Sequence, residues 1–316
     1  NWYDINKRSL PWRKKTSLKK KQYYTLVSEY MLQQTQVITV IPYFNRFIKN
    51  IPDIEILANF DNLKLIKFWE GLGYYSRVRN LKKAAQVIVK DFNKKLPSNF
   101  LKLKSLPGIG DYTASAISAI AFNKPLIPLD GNIERVLKRY LYLKKENQIR
   151  KENLIKQKKI FGTSRRSSDY AQALMELGAL ICKPKNPLCD QCPISKKCTS
   201  FIKKDFTLTK VIKKNRDKYF LLKVYKRNNK YLLIKNNKFN FLKNLNIFPM
   251  NELIKPKNFK QNMSFKMSNM NMSVKIEYNK MIKAIPYSYW IDPKNLKNYT
   301  LPTFTKKIVK YLENHK

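Results

Sequence analysis

Apolar residues recur at helical spacing through residues 1–200 of this chain. The pattern is clearest at 24–48, 81–92 and 112–122, and Pro and Gly turns separate the stretches. This predicts a mainly α-helical first part. The texture changes after about residue 217. Short runs rich in β-branched and aromatic residues, at 219–225, 231–234 and 274–278, alternate with Asn/Lys clusters and read as strands. All seven glycines lie before residue 179. A length of 316 residues supports about two folding units. We therefore expect a helical domain at 1–200, a basic polar linker at 201–216 and a β-rich domain at 217–316. No repeat is evident, and no run of 18 apolar residues predicts a membrane span.

Charge sharpens this picture. Lys and Arg number 65 against 21 acids, a formal net charge of +44. Such a chain is drawn to polyanions, foremost a phosphate backbone. The abundance of Lys, Asn and Ile is also what an AT-rich genome produces, so charge alone does not separate DNA from RNA or an anionic membrane surface.

The four cysteines, Cys182, Cys189, Cys192 and Cys198, fall within 17 residues with spacing C-x6-C-x2-C-x5-C. No secretory signal is visible, and a chain of this size does not need disulfide staples. Four thiolates from one Lys- and Pro-rich loop make a soft ligand set that suits a [4Fe–4S] cluster or a structural zinc. Structural zinc usually takes two C-x2-C knuckles, and this loop has one.

Two further segments carry candidate chemistry. Leu106-Pro107-Gly108-Ile109-Gly110 lies between helical stretches. Gly108 and Gly110 permit a tight turn and leave bare N–H groups at a helix N-terminus, an arrangement suited to a phosphate. Asp130 precedes an apolar-periodic helix, as either an N-cap or a carboxylate aimed into a cleft. Glu29 reads as lying at the head of a helix whose next turn carries glutamines.

The cysteine spacing, L-P-G-I-G-D-Y, L-D-G-N-I-E-R-V, S-E-Y-M-L-Q-Q-T-Q-V and W-E-G-L-G-Y-Y-S-R-V-R-N-L occur together in one chain. They resemble the helix-hairpin-helix DNA glycosylases with an iron–sulfur cluster, most closely the adenine-excising branch. The resemblance is dense over 1–200 and weak over 217–316. It implies a helical glycosylase domain with a [4Fe–4S] loop at Cys182, Cys189, Cys192 and Cys198, followed by an α+β Nudix-like domain. The implied activity is base-excision removal of adenine opposite 8-oxoguanine or guanine in duplex DNA, by a cytoplasmic, nucleoid-associated bacterial monomer.

The resemblance also assigns roles. Glu29 protonates adenine N7, Asp130 stabilises the sugar C1′, and Tyr112 and Asn132 support the pair. Bifunctional relatives of the endonuclease III type carry a Lys where this chain has Tyr112. A phenol forms no imine, so the expected enzyme is monofunctional. Gln34, Tyr74 and Leu32 match wedge positions that fill the gap left by a flipped base. Arg8, Trp12 and Gln172 match the adenine pocket, although the spacing from Trp12 to Glu29 is longer than the family's. Glu176 reads as structural. Ser268 aligns with the serine that contacts the lesion base, while Met267 and Asn269 replace the family's Phe and His. With no glycine and no E-x-x-E after residue 201, that domain is expected to recognise rather than hydrolyse. The competing readings are a thymine-mismatch glycosylase of the same fold and a non-catalytic iron–sulfur lesion sensor.

Overall fold

The computed structural model describes residues 2–143, 165–207, 215–267, 270–280 and 285–315. The chain divides into two compact units, Asn1–Asp61 with Ser76–Lys210 and Asn62–Tyr75 with Val211–Lys316. Residues 62–75, within the stretch assigned to the helical domain by sequence, thus group with the second unit.

The first unit is helical. Its described helices are α1 (Trp2–Asn6), α2 (Leu18–Leu32), α3 (Val37–Asn50), α4 (Ile54–Asn59), α6 (Ser76–Asp91), α7 (Phe100–Lys104), α8 (Asp111–Phe122), α9 (Gly131–Leu141), α10 (Ser167–Glu176) and α11 (Thr199–Ile202). Helix α2 is the central one and packs against α3, α6 and α8. Ser17 caps its start by accepting from the Lys20 N–H. Nearly every residue from Tyr23 to Met31 is buried, so α2 has no solvent face in its second half. Helix α8 meets it with small residues, including Ala114, Ala116 and Ala119, which let the two backbones approach closely.

The stretch 24–48 is not one helix. It breaks at Gln33–Gln36, where Gln34 adopts φ of 55°. Buried Arg77 on α6 holds the break open. Its guanidinium reaches the carbonyls of Met31 at 2.7 Å and Gln33 at 2.5 Å and the Thr35 hydroxyl at 3.0 Å. A cation on the free carbonyls of a helix C-terminus is favourable there. Glu29 consequently sits in the last turn of α2, not at the head of a helix, because the helix starts a full three turns earlier than the glutamine motif suggested.

The hairpin between α7 and α8 depends on one of its two glycines. Gly108 has φ of 81°, and a Cβ there would lie 2.8 Å from Asn80 Cβ and 3.1 Å from Tyr30 Cε1. Tyr30 donates to the Pro107 carbonyl, and Gln33 donates to the Gly108 carbonyl at 3.3 Å. Gly110 is the N-cap of α8, and a Cβ there would meet open space. It keeps the helix N-terminus uncovered instead of relieving a clash.

The second unit is α+β. It contains α5 (Asn62–Phe68), strands β1 (Arg216–Val224), β2 (Lys226–Arg227), β3 (Lys230–Lys235), β4 (Asn246–Ile247), β5 (Met250–Leu253), β6 (Met263–Met267), β7 (Met270–Tyr278) and β8 (Ser288–Ile291), and α12 (Thr303–Asn314). One sheet has the order β5-β1-β7-β6, with β1 and β7 parallel. In the other, β3 pairs with β2, β4 and β8. Phe220, Leu222, Leu233, Ile247 and Met272 form the core with Phe304, Ile308 and Leu312 of α12. Glu70, just beyond α5, accepts from Lys306 of α12 at 2.6 Å and from the Leu301 N–H at 3.3 Å.

The two hairpin glycines should separate by stability. Gly108→Ala forces a left-handed backbone and a steric overlap, so it should cost about 2 kcal/mol or more. Gly110→Ala should unfold near wild type in the same urea titration.

Candidate active site

Four segments of the first unit surround a cavity of about 740 Å³. The last turn of α2 brings Glu29, the start of α8 brings Tyr112, and the head of α9 brings Asp130 and Asn132. The arm before α2, a single 3-10 turn at Pro11–Arg13 with its flanks, brings Arg8, Trp12 and Arg13. Gln172 on α10 also lines the cavity, its amide donating to the Ser168 carbonyl at 3.2 Å. Trp12 stands edge-on to Phe44, with ring centroids 5.3 Å apart. Leu32 and Gln34 line the cavity at the α2 break.

Asp130 fills both roles that its sequence allowed. Oδ1 accepts from the N–H groups of Asn132 at 3.0 Å and Ile133 at 2.7 Å, as an N-cap does. Oδ2 accepts from the Asn132 side-chain amide at 3.3 Å. The same carboxylate faces the cavity.

Glu29 is 4% exposed. Burial pushes its carboxyl up to about 7, and the charge of Asp130 adds to the rise. A hydrogen bond from Tyr112 and the charge of Arg13 oppose it. Oε2 has no hydrogen-bond partner among the described residues. Tyr112 is held well above its ordinary range by burial first, then by Glu29 and Asp130. A buried acid that titrates near neutrality, with one oxygen free and a second carboxylate nearby, can deliver a proton to a bound group.

The contacts made here by Glu176 and Arg135 did not show in the sequence. Glu176, fully buried at the end of α10, accepts from Arg8 Nε at 2.7 Å and from Arg13 Nη1 at 2.8 Å. Arg135 on α9 donates to the carbonyls of Cys182 at 2.7 Å and Gly178 at 2.6 Å, and to Asn132 Oδ1 at 2.9 Å. The sequence signal for Glu176 was a charged residue inside an otherwise apolar stretch, 173–181. Tyr74 belongs to the second unit, with φ of 48° and 44% exposure. Ser268 and Asn269 lie outside the described residues, between Met267 and Met270, which pair across β6 and β7.

The four cysteines are unbridged and line one cavity with Val136, Leu177 and Ile181. Cys182 closes a π-helical turn at Leu177–Ile181, and Cys198 is the N-cap of α11. Gly178 lets that turn pack closely on the head of α9, since a Cβ on it would lie 2.8 Å from Asn132 Cβ. Burial pushes the Cys189 and Cys192 thiols up. Arg139, itself buried, puts Nη1 3.5 Å from Cys182 Sγ and donates to the Lys183 carbonyl at 2.6 Å. Four unbridged thiols lining one cavity, with a cation beside them, are a soft donor set that suits a sulfur-liganded metal group.

Residues 27–159 match the HhH-GPD superfamily of base excision DNA repair proteins. The adenine DNA glycosylase of Buchnera aphidicola subsp. Baizongia pistaciae is 41% identical over 203 residues, covering 64% of this chain and 57% of that protein. Its counterpart from Buchnera aphidicola subsp. Schizaphis graminum is 36% identical over 262 residues, covering 79% and 72%. The human adenine DNA glycosylase is 39% identical over 209 residues, covering 63% and 38%. The chain thus spans 57% of the length of the first of these relatives. Among solved structures, a thermostable thymine-DNA glycosylase superposes with a TM-score of 0.56 at 25% identity, covering 64% of this chain and 92% of that one. An endonuclease III–DNA complex shares the fold, with a TM-score of 0.54 at 20% identity and coverage of 64% and 92%. With relatives of this identity and reach behind the helical fold and its cavity, the chain belongs to the adenine DNA glycosylase family, within the HhH-GPD superfamily of base excision DNA repair proteins.

Proposed function

We propose that this protein hydrolyses the N-glycosidic bond of adenine paired with 8-oxoguanine or guanine in duplex DNA, and that it lacks lyase activity. The observation that carries this reading is the buried Glu29, raised to about 7, facing one cavity with Asp130. An adenine anion leaves poorly, so the base needs a proton as the bond breaks. Glu29, protonated, gives its proton to N7. The C1′–N9 bond cleaves with its electron pair moving to the base, and the sugar becomes an oxocarbenium-like cation. Asp130, fixed by the α9 N–H groups and Asn132, stabilises that cation. Water then adds to C1′, and its proton returns to Glu29. Tyr112 orients Glu29 by their shared hydrogen bond.

The rest of the reading supports this core. Arg8, Trp12 and Gln172 receive the extruded adenine, and Leu32, Gln34 and Tyr74 occupy the duplex it leaves. Gly108 and Gly110 offer the α8 N-terminus to a phosphate. Cys182, Cys189, Cys192 and Cys198 hold a [4Fe–4S] cluster, which when bound supplies a rigid template for a loop carrying Lys183, Lys185, Lys196 and Lys197. The second unit is a Nudix-like recognition module whose Ser268 contacts the lesion base. Asn269 cannot carry the charge of an imidazolium, which weakens discrimination between 8-oxoguanine and guanine. We infer a monomer acting on nucleoid DNA in the bacterial cytoplasm.

Three outcomes check this reading. In single turnover, duplexes with A opposite 8-oxoguanine should be cut after hot alkali, faster than A opposite G, and T opposite G should stay intact. Borohydride should trap no stoichiometric adduct; cutting at T without adenine release would move the protein to the thymine branch.

Replacing Cys192 with Ala should remove the broad visible absorption of a cluster and weaken duplex binding at least tenfold. Full affinity in an iron-free variant would overturn the role given to the loop.

Glu29→Gln should abolish release while keeping binding. It also has a stability signature. The folded pKa of Glu29 lies above its unfolded value of 4.5, so the native state holds the proton more tightly. Stability is full below 4.5 and declines as pH rises through about 7. At pH 8 the Gln variant should therefore be more stable than wild type, by up to about 3 kcal/mol, and at pH 4 the two should converge.

A further inference from the structure

We propose that Glu176 is a positioning residue that holds Arg8 and Arg13 as one wall of the Glu29 cavity and offsets the charge they bring. This deepens the glycosylase reading and rests on it only for the rate measurement below.

The geometry is specific. One fully buried carboxylate takes two guanidiniums. Arg8 donates through Nε at 2.7 Å and Nη2 at 3.1 Å, and Arg13 through Nη1 at 2.8 Å. The arm that carries them has one short turn of its own and an Arg13 contact to the Arg8 carbonyl at 3.4 Å. Besides packing Leu10 and Trp12 into the core, the arm is tied to α10 by these side chains, and the planar fork of Arg fixes direction as well as distance. Both arginines line the cavity, whereas Glu176 stands behind them.

The charges on every side set the sign of the effect. Glu29 faces Tyr112 from α8, Asp130 from the head of α9 and Arg13 from the arm. Glu176 faces Arg8, Arg13 and Tyr3 of α1, and Asp4 and Asp169 lie around Tyr3. Glu176 thus leaves one net positive charge in the wall where there would be two. Removing it exposes Glu29 to an uncompensated Arg13, which favours the carboxylate form.

The test is Glu176→Gln in the full chain. Two properties are read against pH: the carboxyl 13C shift of Glu29, assigned by its loss in Glu29→Gln, and the single-turnover rate of adenine release. We expect the Glu29 midpoint to fall by about one pH unit. The alkaline limb of the rate should follow, so that release slows about tenfold at pH 8 and stays near wild type at pH 5. The charge-conserving pair Arg13→Gln with Glu176→Gln should return the midpoint to wild type. Arg13→Gln alone leaves the buried carboxylate its Arg8 partner, so it guards against a Glu176 variant that does not fold, and it should raise the midpoint. An unmoved midpoint in either single variant, or a rate lowered equally at all pH values together with a lower melting temperature, would overturn the proposal. If the midpoints move as expected while wild type releases no adenine, the glycosylase reading fails and the positioning role stands.

Discussion

The structure turns on keeping one carboxylate away from water. Glu29 occupies the last turn of a buried helix, and burial there works against its charged form. Two of its neighbours moderate that penalty and a third adds to it. Tyr112 donates one hydrogen bond, Arg13 adds a partial counter-charge, and Asp130 pulls the other way. A fold optimised for stability alone would place Leu or Gln at this position. The retained acid is a local conflict of the kind that functional sites keep and the surrounding core tolerates.

Placing that acid is the work of groups remote from the chemistry. Arg77 gathers the carbonyls at the C-terminus of α2, one turn beyond Glu29. Asn132 is pinned from three directions at once. It donates to Asp130, accepts from Arg135 and abuts Gly178, which has no side chain to push it away. Since Arg135 also grips the Cys182 carbonyl, the cysteine loop and the cap of α9 share one set of hydrogen bonds. Disturbing either end strains the other.

Much of the first unit was legible in the sequence. Helical periodicity located α6 and α8, the glycines located the hairpin, and Asp130 before an apolar run announced a cap. Three features were not. The break inside 24–48 is set by Arg77, more than forty residues away, and no local pattern marks it. The anchoring of the arm around Trp12 was not visible, since its partner Glu176 is distant in sequence. The grouping of 62–75 with the second unit depends on Glu70 finding Lys306 and the Leu301 N–H, again a long-range pairing that periodicity cannot carry. In the second unit the strands β1, β3 and β7 followed their β-branched and aromatic runs. The short strands β2 and β4, two residues each, are defined by pairing alone.

That last grouping changes what a domain boundary means for this chain. The second unit is discontinuous, with α5 and the Gly71–Gly73 turn contributed from the middle of the helical part. No single cut in the polypeptide yields both units whole. A fragment ending before β1 keeps the Glu29 cavity and the cysteine loop but strips Glu70 of Lys306 and of the Leu301 N–H. A fragment starting at β1 loses α5 altogether. Circular permutation, tagging and limited proteolysis therefore act on two units interleaved in sequence, and the junction after Lys210 is only one of the three points at which the chain passes between them.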